Sequence, residues 1–231
     1  MTSGAVVVTG ASGNLGRATA LRLAKDGAPM VLVDRSADRL REACPEIAAD
    51  PKNRIAGNVD LTDTEAVRAL AAEVADDGGP VAGLVHTVGA FRGGTPVLDE
   101  EDRAWELLFA VNVRSSVAML KAFAPSMRQA GGGSAVLVSS LDGQRASAGH
   151  AAYAASKAAV LRLTEAAAEE LRDDGVRVNA LVLGALDTPA NRESLGADAR
   201  LLPLDAVADT IAFLLSPASR AITGAAIPLI P

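Results

Sequence analysis

Aromatic residues are scarce in this sequence: one tryptophan, one tyrosine and four phenylalanines in 231 residues. With hydrophobic residues at 49%, the chain must build its core from aliphatic side chains, and its composition excludes a disordered polymer. Cysteine is limited to Cys44, which excludes an internal disulfide. Only His86 and His150 accompany it, so no cluster has metal-ligand spacing and no metal is expected. Cys44 falls in a segment expected to be helical, with no histidine nearby, where packing is its expected role. Positive charge is in deficit, and a formal net charge of -6 removes any general attraction to nucleic acid or an anionic membrane. No apolar run approaches the roughly 20 residues that span a bilayer, and Met1 to Thr9 lead directly into a strand and a glycine turn. A cytoplasmic protein with no nucleic-acid and no membrane partner is expected.

What the sequence does contain is an alternation. Short aliphatic runs at Ala5 to Val8, Met30 to Val33, Arg54 to Val59, Val81 to Val85, Ala135 to Val138, Val178 to Leu183 and Ala225 to Ile230 have the character of buried parallel strands. Between them, Leu15 to Asp26, Thr64 to Ala75, Trp105 to Met127, Tyr153 to Leu171 and Leu204 to Leu214 carry helical spacing. Asp63 stands where a helix should start and Gly175 where one should stop. No linker, repeat or low-complexity tail interrupts the pattern, so residues 1–231 are expected to form a single domain. The fold class is α/β: a Rossmann-type doubly wound parallel sheet in three layers.

The first strand runs into Thr9-Gly10-Ala11-Ser12-Gly13-Asn14-Leu15-Gly16 before the first helix. Glycines permit a tight turn and close backbone approach, and the unpaired amides at the helix start attract a pyrophosphate. Gly10, Ser12, Gly13, Asn14, Leu15 and Gly16 are therefore candidate cofactor residues. Asp34 ends the second strand, 18 residues after Gly16, where a carboxylate can accept from an adenosine ribose diol and repel a 2'-phosphate. NAD(H) is thus the preferred cofactor, while Arg35, able to stack on adenine or bind that phosphate, keeps NADP(H) open. Asp60 and Leu61 end the next strand on the same side; flanking the adenine and capping a helix are both open for Asp60.

The densest chemistry lies in Val138-Ser139-Ser140 and Tyr153-Ala154-Ala155-Ser156-Lys157. The i to i+4 spacing puts phenol and ammonium on one helix face. A phenol, with a pKa of about 10, exchanges protons near neutrality only if its anion is stabilised, and a nearby lysine and an oxidised nicotinamide both do this.

These motifs, in this order, resemble the short-chain dehydrogenase/reductases over nearly the whole chain. Tyr153-x-x-x-Lys157 matches the family's catalytic pair, Ser140 lies 13 residues earlier as its catalytic serine does, and Asn112-Val113 matches the asparagine of its proton relay. The resemblance implies hydride transfer between nicotinamide C4 and a carbonyl or alcohol carbon of a small-molecule substrate. Tyr153 would supply or accept the oxygen proton and Ser140 would hydrogen-bond the same oxygen. Lys157 would bind the nicotinamide ribose, Asn112 would position a water linking Lys157 to solvent, and Thr188 would contact the carboxamide. It also implies a homodimer or homotetramer built on the long helices.

Several positions depart from the family pattern. Asn14 stands where a first-turn glycine is usual and Gly13 takes the middle position; asparagine tolerates a left-handed backbone better than most residues. The usual Asn-Asn-Ala-Gly reads His86-Thr87-Val88-Gly89, which retains Gly89 as a cofactor contact; the family ties strands together near the cofactor at the first position, so His86 is expected to be structural or cofactor-adjacent rather than a base. Leu183 replaces a proline before Gly184. Specificity is expected between Thr188 and Pro203, with an open pocket. Loops at Gly89 to Gly94 and Leu186 to Arg192 are similar to those of dihydropteridine reductase, an NADH-dependent quinonoid pterin reductase, which gives a second reading. A dinucleotide-binding sensor or scaffold without turnover is a third.

Overall fold

The aliphatic runs become the strands of one sheet. In the computed structural model, which describes residues 4–76, 79–196 and 198–231, these are β1 (Ala5–Thr9), β2 (Met30–Val33), β3 (Arg54–Ala56), β4 (Val81–His86), β5 (Gly133–Ser140), β6 (Val176–Leu183) and β7 (Ala226–Leu229). All pair in parallel, in the order β3-β2-β1-β4-β5-β6-β7. Because both faces are covered, β2 and β4 are buried along their whole length and cannot alternate polar with apolar residues. Pro228, which lacks an amide donor, falls on the edge strand β7.

Helices cover both faces. On one side Leu15, Ala20 and Leu23 of α1 (Asn14–Lys25) pack with Leu40 of α2 (Ala37–Ala43), Ile47 of α3 (Pro45–Ala49) and Val207 and Ile211 of α9 (Leu204–Leu215). On the other, α4 (Thr64–Asp76), α6 (Ser115–Gln129) and α7 (Ala151–Glu170) contribute Val67, Leu70, Met119, Phe123 and Val160. The three expected layers result. The Asp63 carboxylate accepts from the amides of Glu65 and Ala66 and so starts α4 as expected.

Four local features differ from the sequence expectation. β3 ends at Ala56 rather than Val59, because Gly57 lies against the backbone of Ala37 and Asn58 takes a left-handed conformation, φ 62°, that turns the chain away. Cys44 is not inside a helix: it joins α2 to α3, where Pro45 starts the second, and its buried thiol lies 3.8 Å from the Ala11 carbonyl. The long helix starts at Asp102 as α5 (Asp102–Phe109) and reaches α6 through a π turn at Ala110–Arg114. A short α8 (Pro189–Leu195), capped by Thr188, follows β6 in the expected specificity segment. The continuous 28-residue helix Asp102–Gln129 is also long and apolar enough, by length and composition, to cross a membrane, contrary to the expectation that no such run exists. Its inner face packs on β4 and β5, and half of its most apolar window is buried.

The strand order reverses between β1 and β4, and a buried imidazole joins them there. His86 Nδ1 lies 2.9 Å from Thr9 Oγ1 of β1 and its Nε2 2.9 Å from Ser115 Oγ of α6. The Ser115 hydroxyl donates to the Val111 carbonyl, so it accepts from Nε2–H, which leaves Nδ1 to accept from Thr9. Only the neutral ring fits, and burial, helped by the Lys157 charge, lowers its pKa from 6.5 to about 3. Between these two values the unfolded chain binds a proton that the folded chain refuses, so stability falls with falling pH, by about 1.4 kcal/mol per unit for this group. Compared with His86→Asn, which does not titrate, the wild type should therefore lose unfolding free energy more steeply from about pH 6.5 to about pH 4. Denaturant titrations across that range measure it; parallel curves would contradict a neutral imidazole.

Candidate active site

α1 starts behind Gly13 with no side-chain cap and no acidic residue in its first turn, so its free amides and positive dipole end face outward. Gly10 has φ +63°, and a Cβ on Gly16 would stand 2.1 Å from the Gly10 carbonyl oxygen, so only glycine lets helix and turn close to this distance. Asn14 is the first helical residue and needs no left-handed backbone; among the described non-glycine residues only Asn58 has positive φ. The turn opens on a cleft of about 590 Å³ beside the strand-order reversal, where a doubly wound sheet binds its ligand.

Gly10, Ser12 to Gly16, Asp34, Arg35, Asp60, Leu61 and Gly89 all line that cleft. Asp34 is held from two sides: the Ser12 amide and hydroxyl donate to Oδ2 at 3.1 and 2.7 Å, and the Arg35 amide donates to Oδ1 at 2.7 Å. Ser12 thus serves the carboxylate of β2 as well as the turn. Asp60 accepts from the Thr62 amide and hydroxyl, bonds that hold its pKa below the usual carboxylate value, and does not cap α4. Arg39 joins the lining from α2, a placement that depends on where that helix starts. The arrangement fits a dinucleotide: a capless helix start for a pyrophosphate and a carboxylate for a ribose diol.

At the other end, strand alternation separates two adjacent serines. Ser139 turns inward and donates to the Lys157 carbonyl at 2.9 Å, whereas the Ser140 hydroxyl faces the Tyr153 phenol and favours its anion. Lys157, 4% exposed, donates from Nζ to the Val138 carbonyl at 3.0 Å and lies 5.9 Å from the Tyr153 ring centroid. Burial raises the phenol pKa, Ser140 opposes this and the Asp142 charge adds to it; burial lowers the ammonium pKa to about 8.

Asn112 sits in the π turn, which projects its amide across to the loop after β4. Its Oδ1 accepts from the Ala90 amide at 2.7 Å, and its Nδ2 donates to the Ala90 carbonyl at 3.0 Å and to Ser156 Oγ at 2.9 Å. A Cβ on Gly89 would stand 3.0 Å from Lys157 Nζ and 3.2 Å from Asn112 Oδ1, so this glycine connects cleft and lysine. Thr188, 8% exposed, accepts from the Asn191 amide at 3.2 Å at the start of α8. His86 is committed to the fold and does not face the cleft as a base. His150 lies 3.0 Å from Asp142 and packs on Phe91, whose ring meets Tyr153. No spacing rule links Phe91 to His150, so only the fold reveals that contact.

Known proteins share this architecture and a quarter to a third of the sequence. The family described as short chain dehydrogenase matches over residues 4–198. A 2,5-dichloro-2,5-cyclohexadiene-1,4-diol dehydrogenase of Sphingobium indicum is 33% identical, with 96% of this chain and 93% of the relative covered. An NAD+-bound xylitol dehydrogenase has a TM-score of 0.90 at 28% identity, covering 98% of this chain and 97% of that one. The L-sorbose reductase of Gluconobacter frateurii, solved with NADPH and L-sorbose, also has a TM-score of 0.90, at 25% identity, covering 99% of this chain and 95% of that one. The family match extends over most of the chain, through the strands and loops that build the crevice, and on that ground the protein belongs to the short-chain dehydrogenase/reductases, NAD(P)-dependent oxidoreductases.

Proposed function

We propose that the enzyme passes a hydride between nicotinamide and the carbonyl or alcohol carbon of a small molecule, with Tyr153 as the proton donor and acceptor. The observation that carries this reading is the Ser140 hydroxyl beside the Tyr153 phenol, next to the buried Lys157, at the strand ends near the cleft. In reduction, the hydride reaches the carbonyl carbon, the C=O π bond breaks, and the Tyr153 hydroxyl protonates the oxygen; oxidation reverses each transfer. Ser140 holds the reacting oxygen, Lys157 binds the ribose and moderates the phenol, and Thr188 meets the carboxamide. Asn112, through Ala90, fixes the loop beside which a water passes protons from Lys157 to solvent. When bound, the nicotinamide supplies the hydride and, oxidised, a positive charge.

The raised phenol pKa keeps Tyr153 protonated at neutral pH, ready as an acid. Reduction should therefore be fastest at or below neutrality and oxidation should rise toward alkaline pH, in steady-state rates measured in both directions. Tyr153→Phe should lower kcat by about 100-fold or more while NADH affinity, read by ligand titration, holds within about 2-fold. Full activity in that variant would remove Tyr153 from the chemistry. NADH binding without turnover on a carbonyl and quinonoid pterin panel would favour a sensor.

The cofactor proposed is NAD(H), since the Asp34 carboxylate lines the ribose end of the cleft and repels a phosphate there. Arg35 and Arg39 line the same end, which keeps NADP(H) as the alternative. The kcat/KM with NADH should exceed that with NADPH by about 10-fold or more, and Asp34→Ala should narrow the ratio. The wider reading is a single-domain cytoplasmic enzyme with a small-molecule substrate and no nucleic-acid or membrane partner. It forms a homodimer or homotetramer through the helices at 102–129 and 151–170. Light scattering on the eluting protein should give two or four times the chain mass; a monomer would refute the assembly.

A further inference from the structure

In a chain poor in aromatics, three rings converge at one point of the site. Phe91 meets Tyr153 edge-on with centroids 4.9 Å apart and His150 edge-on at 5.2 Å. Phe91 is nevertheless 64% exposed, so one face of its ring is open to a ligand. Its loop is fastened on both flanks. The Gly94 amide donates to the Gly149 carbonyl at 2.9 Å, and Arg92 reaches Glu100 at 3.5 Å and Glu101 at 3.4 Å at the start of α5. Gly93 packs so closely on the imidazole that a Cβ there would stand 2.4 Å from His150 Cδ2. His150 is fixed in turn by Asp142, which also accepts from the Ser147 amide at 3.0 Å. Across the Ser140 to Tyr153 pair, Leu141 is 37% exposed and its Cδ1 lies near Gly184.

We propose that Phe91, backed by His150, forms the substrate-facing wall of this site and selects an uncharged ring alcohol or ketone over its open-chain counterpart. A fixed aromatic face rewards a rigid ring, which buries apolar area without losing rotor freedom, whereas an open chain gives up that freedom on binding. The arginines and glutamates of the wall balance, Arg92 and Arg103 with Glu100 and Glu101, and both Asp142 oxygens are engaged, by the Ser147 amide and by His150. A charged substrate would lose its hydration there without gaining a partner. The inference rests on the hydride-transfer reading. His150 acts here as a positioning residue that holds the Phe91 ring.

The test is steady-state reduction of cyclohexanone and 2-hexanone with NADH by the wild type, Phe91→Ala, Phe91→Tyr and His150→Ala. The wild type should favour the ring ketone by about 10-fold in kcat/KM, chiefly through KM. Phe91→Ala should raise KM for the ring about 10-fold, with kcat and the open-chain KM each moving less than about 2-fold. Phe91→Tyr should retain the selectivity and His150→Ala should lose part of it. Because Phe91 is exposed, unchanged NADH binding verifies that its variants are folded. Equal use of both ketones by the wild type, or equal losses in Phe91→Ala, overturns the ring-selective wall and leaves hydride transfer standing. Tyr153→Phe abolishes both reductions if that reading holds; no turnover of either ketone by wild-type protein that binds NADH overturns both.

Discussion

The imidazole of His86 carries a constraint out of proportion to its size. It joins β1, β4 and α6 through two hydrogen bonds whose directions are fixed by the Ser115 hydroxyl, so one uncharged tautomer satisfies all three elements. Ser115 also fastens the Val111 carbonyl, and this carbonyl belongs to the π turn. The turn carries Asn112 to Ala90, and Ala90 keeps Gly89 against Lys157. Sheet topology and lysine position are thus linked by five consecutive contacts. Removing the ring would leave unpaired polar atoms at the strand reversal, where the cleft opens.

Burial acts on the two reactive groups in opposite senses. It disfavours the phenolate of Tyr153 and the ammonium of Lys157 alike, so in the free protein both are pushed toward their neutral forms. The same low-polarity surroundings strengthen whatever charge a bound ligand brings. A site of this kind is quiet when free and responsive when filled, and the Asp142 charge, shared with His150, adjusts how far the phenol resists losing its proton.

Much of this was readable in the sequence, for identifiable reasons. Fully buried parallel strands leave unbroken aliphatic runs, and residues that share a helix face stand at an i to i+4 spacing, so the sheet and the placing of Tyr153 beside Lys157 were both visible. The break at Cys44 was not, because α2 and α3 are short and their junction depends on Pro45 and on the packing of the thiol beneath Ala11. The π turn was hidden too: its extra residue is stabilised by Asn112 reaching a loop that is distant in sequence. Which of Ser139 and Ser140 faces the phenol required the true extent of β5. The Phe91 and His150 contact arises only when two loops are brought together by the sheet.

The clasp between Ser12 and Asp34 has a consequence on the evolutionary scale. Asp34, which lines the cleft, is also the anchor of the glycine turn, since the turn's serine gives it both an amide and a hydroxyl. A lineage that exchanged Asp34 would release Ser12 in the same step and loosen the glycine turn. Descendants that change this acid should therefore carry paired substitutions at the two positions, so that the acid and the turn geometry are inherited as one trait.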